Sequence, residues 1–148
     1  MDSTNNQEVQ LLALSPLDGR YAGKIARLKS IFSEFGLIKY RVIIEVKWLI
    51  ALSNSKKIVE LPSFSKTGLE FFENIIDQFS LADAISVKKI EHVTNHDIKA
   101  VEYFLKDQLT SKEEIDDATP FIHFACTSED INNLAYALML KEGREEII

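Results

Sequence analysis

The stretch SEFGLIKYRVIIEVKWLIALS, residues 33–53, decides the fold. Ile38, Val42, Val46, Leu49 and Ile50 recur at three- and four-residue spacing, which predicts an amphipathic helix. Ile25, Leu28, Phe32 and Phe35 carry the same spacing upstream. Ser33 is a candidate N-cap and Gly36 a break or bend between the two helices. Ser53-Asn54-Ser55 ends the run. Glu45, alone among apolar neighbours, reads as solvent-facing or paired with a Lys or Arg.

Downstream the helical signal repeats. Lys56–Phe64, with Pro62, is a connector. Leu69, Phe72, Ile76 and Phe79 form a second stripe with Ser65 as candidate cap, and Ser80 to Asp83 has the form of a capping box. Residues 86–93 fit either a helix end or a short extended piece. Thr94-Asn95-His96-Asp97 reads as another helix start, followed by Ile98, Val101, Leu105 and Leu109 on one face. Ser111–Ala118 reads as a charged loop. Thr119-Pro120 reads as an N-cap with proline at the first helical position. Thr127-Ser128-Glu129-Asp130 is a third start, leading into a helix marked by Ile131, Leu134 and Leu138. Upstream, Met1–Gln10 reads as a flexible tail, Gln10–Ser15 as extended, and Ser15-Pro16-Leu17-Asp18-Gly19 as a loop dense in turn formers. The expected class is mainly α.

The chain has 148 residues, 46% hydrophobic and 27% charged, with five Gly and three Pro, as expected of one globular domain. The net charge of −6 and the isolated pairs Lys56-Lys57 and Lys88-Lys89 give no basic stripe, so no nucleic-acid partner is expected. Cys126 is the only cysteine, so no intrachain disulfide can form. The first residues lack a signal-peptide pattern. No apolar run approaches the roughly 20 residues that span a bilayer. A cytoplasmic protein is expected.

Three polar clusters could carry chemistry. Asn95-His96-Asp97 and Thr127-Ser128 lie at expected helix N-termini, where free N–H groups and the positive dipole end favour anions. Arg20-Tyr21 follows a tight turn and offers a forked cation and a phenol. The competing readings are plain: Thr94 and Thr127 as simple caps, and Arg20 paired with a surface acid. His92 and His96 have zinc-compatible spacing, but no third ligand stands out. His123 and Cys126 could form a nucleophile–base pair, yet apolar bulk around them favours a structural cysteine.

Longer stretches resemble a known family. Residues Ser15 to Tyr21, Thr94 to Leu105 and Phe121 to Asn133 are similar to three spaced motifs of the adenylosuccinate lyases, of the fumarase/aspartase superfamily. The likeness runs from about Leu12 to the last residue and is closest to the bacterial branch. It implies a helical N-terminal domain followed by the start of the first helix of a central bundle, with the boundary near Cys126: tail 1–10, domain 11–126, bundle start 127–148. It implies cleavage of adenylosuccinate to AMP and fumarate, and of the succinylaminoimidazole carboxamide ribotide to its carboxamide product and fumarate, by β-elimination in purine biosynthesis. It also implies homotetramers, active sites shared among subunits, and no metal or organic cofactor.

By the same resemblance Arg20 and Tyr21 bind substrate, near its phosphate end. Asn95, His96 and Asp97 line the site, with His96 assisting catalysis. Thr127 and Ser128 hold the succinyl portion. The family's general acid lies in a Thr-His-x-Gln motif and its base is a Ser on a loop rich in Ser, Met, Pro, Lys and Asn. Neither motif occurs here, so an inactive N-terminal fragment is expected. Glu145-Glu146-Ile147-Ile148, with negative charge at a helix C-terminus, reads as a cut inside a longer helix. Exposed apolar surface near Ile131, Leu134 and Leu138, or self-association through it, follows as an expectation. The alternative is a helical protein-interaction module without catalysis, which would have no need for all three polar clusters.

Overall fold

A computed structural model describes residues 8–110 and 113–148. Five long helices carry the fold: α1 (Glu34–Ser53), α2 (Lys66–Asp77), α3 (Leu81–Thr94), α4 (Asp97–Leu109) and α5 (Ser128–Ile147). Short helical turns precede α1, at Ala26–Leu28 and Lys29–Phe32, and lie between α4 and α5, at Glu113–Asp116 and Thr119–Phe121. Among the described residues there is no strand, and the mainly α expectation holds. None of the helices there is long and apolar enough to cross a membrane.

Helix α1 organises the rest. Its face Ile38–Val42–Val46–Leu49 packs into the main core with Phe72 of α2, Val87 of α3 and Val101, Phe104 and Leu105 of α4. Its other side, through Tyr40, meets Ala135 and Met139 of α5, with Ile31 from the preceding turn. A helix buried on both sides needs apolar residues nearly all round, which is why the stretch 33–53 is so apolar. Each such side chain taken fully out of water contributes about 1.5–3 kcal/mol.

Helix starts follow local chemistry. The Ser33 hydroxyl accepts from the Gly36 N–H and the Ser65 hydroxyl from the Gly68 N–H. In Ser80–Asp83 the acid accepts from the Ser80 N–H and hydroxyl. Gly36 is not a break: it sits inside the first turn of α1, where any Cβ would collide with the Ile31 carbonyl.

Several expectations are corrected. Residues 86–93, open in the sequence between a helix end and an extended piece, are the second half of α3. Residues 8–11 form a helical turn and the segment to Ser15 continues in turns, not extended chain; the rest of the expected tail, residues 1–7, lies outside the described residues. Of the expected loop 111–118, residues 111 and 112 lie outside them too, and Glu113–Asp116 is a helical turn. Thr119 does not cap a helix; it opens a three-residue 3-10 turn with Ala118 in the cap position. Thr94 ends α3, and His96 caps α4.

The last helix also differs. Ile131, Ala135, Met139 and Gly143 are its buried positions, so Ile131 is 1% exposed rather than bare. Ala135 and Gly143 lack bulk, and the Phe32 ring lies where a Gly143 side chain would be. This close approach rotates Leu134 outward, to 54% exposure, and leaves Leu138 half-buried.

Candidate functional site

The turn between α3 and α4 is built by three consecutive residues. Asn95 ends α3 in the left-handed region at φ 51°, its N–H donating to the Glu91 carbonyl at 2.7 Å. Asn is among the few residues that tolerate this conformation. His96 then caps α4: its Nδ1 accepts from the Lys99 N–H at 3.1 Å. An accepting Nδ1 leaves the proton of a neutral ring on Nε2, so the half-exposed imidazole offers an outward donor. Asp97 Oδ1 accepts from the Ile98 N–H at 2.9 Å, and Oδ2 from Arg41 at 2.6 Å. Burial pushes the Asp97 carboxyl up, but the Ile98 N–H and the Arg41 charge more than offset it and leave it below its ordinary value.

The start of α5 is built differently. The Asp130 carboxylate accepts from the Thr127 N–H at 2.7 Å and from the Thr127 hydroxyl at 2.9 Å. These two donors hold the Asp130 carboxyl below its ordinary value. The Thr127 hydroxyl proton is thus spent on Asp130. The donors an anion can use at this end are the first helical N–H groups and the Ser128 hydroxyl.

Arg41 joins the two helix starts. Its side chain is 6% exposed. Besides Asp97 it reaches Asn132 of α5, donating from Nε to Oδ1 at 3.0 Å. Asn132 is four residues from Ser128, on the same face of α5. One guanidinium therefore holds the first residue of α4 and the second turn of α5 against α1.

Glu45, one turn along α1, is 1% exposed. It faces neither solvent nor a Lys or Arg, contrary to expectation. Its Oε1 accepts from His123 Nδ1 at 2.6 Å, and its Oε2 has no partner among the described residues. Burial pushes the Glu45 carboxyl up; the His123 bond opposes this, and nearby Glu102 adds to the rise. Glu102 of α4 is itself buried and accepts from Lys99 Nζ at 2.8 Å. Three residues past Glu45, the Trp48 indole N–H donates to the Phe124 carbonyl at 2.8 Å.

His123 is thereby turned towards Glu45, not arranged as the base of a Cys126 nucleophile. Burial, with the negative charges of Glu45 and Asp130, pushes the Cys126 thiol up, opposite to what a reactive thiol needs. His92 and His96 lie on either side of the left-handed Asn95 and do not share a helix. No group of three or more His, Cys, Asp or Glu among the described residues is placed to hold a metal ion.

Arg20 and Tyr21 stand apart. Both are exposed, with the guanidinium stacked over the Tyr21 ring at 4.7 Å. Arg20 also lines a cavity of about 550 Å³ with Gln10, Leu11, Ala13, Leu14, Ser15 and Pro16. The chain that follows packs at the far end of α5, where Arg27 pairs with Glu146 at 3.1 Å. Among the described residues, no hydrogen bond or ion pair joins Arg20 or Tyr21 to His96, Asp97, Thr127 or Ser128.

The sequence reading missed Arg41, Asn132, Glu102 and the Glu45–His123 pair. One signal was present: Arg41 and Glu45 are charged residues four apart, on one face of a helix that is apolar over much of its surface.

This all-helical frame sets two helix starts against one buried arginine. The chain matches the family described as lyase over residues 19–148 and is a member of it. Within that family it is similar to adenylosuccinate lyases. It is 54% identical to that of Vibrio cholerae serotype O1 and to that of Haemophilus influenzae, and 51% identical to that of Escherichia coli K12. Each comparison covers 93% of this chain and 30% of the relative, so the chain spans about 30% of the length of these curated relatives.

Proposed function

We propose that this chain is the substrate-binding N-terminal portion of an adenylosuccinate lyase. The observation that carries this reading is the pairing of the α4 and α5 N-termini through Arg41. It supports a site for a polyanionic small molecule with carboxylate groups. The α5 N–H groups and the Ser128 hydroxyl would take a carboxylate of the succinyl portion, with Thr127 setting the helix end. His96 would present Nε2–H and assist. Asn95 and Asp97 would shape the same wall, and Arg20 with Tyr21 would take the phosphate end, in an active site completed by another subunit of a homotetramer. Residues 11–126 would form the N-terminal domain and 127–148 the start of a central bundle, in a cytoplasmic enzyme needing no cofactor.

β-Elimination removes a carbon-bound proton, places charge on the adjoining carboxylate, and protonates the departing nitrogen. Donors aimed at a carboxylate stabilise the charge that develops in the first step. We place the main acid and base outside these 148 residues. Two substrates, adenylosuccinate and the succinylaminoimidazole carboxamide ribotide, share the succinyl group that this wall would hold.

The test is an absorbance assay for adenylosuccinate cleavage on the purified chain, with its intact mass measured on the same sample. No turnover, with adenylosuccinate or fumarate perturbing the amides of Ser128 and Glu129, supports the reading. Turnover at the mass of this chain would place the acid and base within it and overturn the account. An interaction module would show neither turnover nor perturbation.

A further inference from the structure

We propose that Arg41, Glu45 and Trp48 form a positioning stripe along α1, and that its Glu45–His123 pair, with Trp48, holds the turn 122–127 so that the N-terminus of α5 is set for its carboxylate ligand. The inference rests on the anion-site reading of Thr127–Ser128 and names the residues that support that site.

The three side chains lie at i, i+4 and i+7, one face of a helix. Arg41 grips Asp97 and Asn132. Glu45 grips the His123 ring, and Trp48 grips the next residue's carbonyl. Two successive residues of the turn are thus fixed by one helix face, one by its side chain and one by its backbone.

The turn needs such fixing. His123 and Ala125 both adopt left-handed backbone, at φ 62° and φ 58°, a region that residues with a Cβ rarely enter unless their surroundings impose it. Ile122 roots the start of the turn in the main core and the Thr127–Asp130 box holds its end, while between them the backbone closes on the Cys126 N–H to His123 carbonyl bond at 3.2 Å.

Glu45 is also a costly way to fill space. Its carboxyl group is desolvated and one oxygen is unpartnered among the described residues, and the Glu45–His123 pair as a whole could give way to apolar side chains of similar size at little cost in stability. A geometric duty explains its presence where packing does not. The start of α3 is the control within the molecule. Ser80–Asp83 makes the same carboxylate box as Thr127–Asp130, yet no left-handed residue precedes it. The box alone starts a helix; at α5 the grip of Glu45 and Trp48 is added to it.

The experiment uses the full chain, labelled with nitrogen-15, and fumarate as probe. It compares wild type with Glu45→Leu, Glu45→Gln and Trp48→Phe. Three readouts are taken: fumarate affinity at the Ser128 and Glu129 amides, hydrogen exchange at Cys126 and Thr127, and the thermal midpoint. For Glu45→Leu, exchange at Cys126 and Thr127 should rise about tenfold and fumarate affinity fall about tenfold, with the midpoint lowered because His123 loses its partner. Glu45→Gln, which still accepts from His123, should recover both to within about threefold of wild type.

Exchange in both Glu45→Leu and Trp48→Phe within about twofold of wild type would overturn the proposal. So would an affinity loss that follows the midpoint and is not rescued by Gln. If Glu45→Leu fails to fold, Trp48→Phe decides alone, since it keeps an aromatic ring and removes the N–H to Phe124. Wild type that shows no fumarate shift would sink the anion-site reading, while exchange in the same variants would still judge whether the stripe holds the turn.

Discussion

The starts of α4 and α5 do the same job by opposite means. Helix α4 has a weak local cap, a histidine, and a strong distant anchor, the Arg41–Asp97 pair. Helix α5 has a strong local cap, the Thr127–Asp130 box, and its distant anchors are spread, at Asn132 in its second turn and at His123 and Phe124 in the turn before it. A cap fixes where a helix begins. An anchor fixes where that beginning sits relative to other elements. A binding site that spans two helices needs the second kind of control, and here both controls converge on α1.

This difference can be broken from either side. The largest effect is expected for Arg41→Leu, which strands Asp97 and Asn132 at once. Removing one partner of a buried pair costs about 3–5 kcal/mol; because the Asp97 side chain is 43% exposed, the lower end is expected, read as a shift in the urea midpoint. Both helix starts should show faster amide exchange. Thr127→Ala should cost about 1 kcal/mol and speed exchange in the first turn of α5 alone; a matching change at α4 would mean that the two starts are coupled through more than Arg41. His96→Ala should cost less, about 0.5 kcal/mol, because one net hydrogen bond to the Lys99 N–H is lost.

The smallest effect is in pH dependence. The folded Asp97 carboxyl lies below its ordinary value of 3.8. Such a group contributes stability above its unfolded pKa, and loses it as pH falls through the folded pKa. Asp97→Asn should therefore flatten the acid limb of stability by roughly a few tenths of a kcal/mol, given partial screening by water. An unchanged acid limb would mean that the Arg41 bond does not depend on the charge of Asp97.

The legibility of the sequence divides along the same line. The caps at Ser33, Ser65, Ser80 and Thr127 involve partners three residues away, and the apolar spacing of Ile38 to Leu49 marked the main core face. Those features are local, so a linear reading found them. The Arg41–Asp97, Glu45–His123 and Arg41–Asn132 bonds span 56, 78 and 91 residues, and nothing local marks such partners. Glu45 was misread because a single carboxylate in an apolar run is assigned to the solvent side; α1 has no solvent side at that position. Thr94 was misread because its spacing to Asp97 imitates a box, while the left-handed Asn95 moves the helix start to His96. Ile131 and Leu134 were placed on one face, but the small residues Ala135 and Gly143 shift the contact stripe and separate them. The motif clusters themselves were legible as anionic-ligand candidates at helix ends; how two of them are tied together was not.

The single thiol of the chain sits at the end of the strained turn. Cys126 lines a cleft of about 380 Å³ with Trp48, Ile131 and Leu134, and its raised pKa keeps it mostly protonated near neutral pH. Cys126 is partly exposed, so the rate at which a small alkylating reagent consumes it is sensitive to the shape of the turn around it, with no second cysteine to blur the count. Slow, steady labelling would mark a turn that keeps one shape. A sudden quickening after a distant substitution would report, from one atom, that the grip of α1 had loosened.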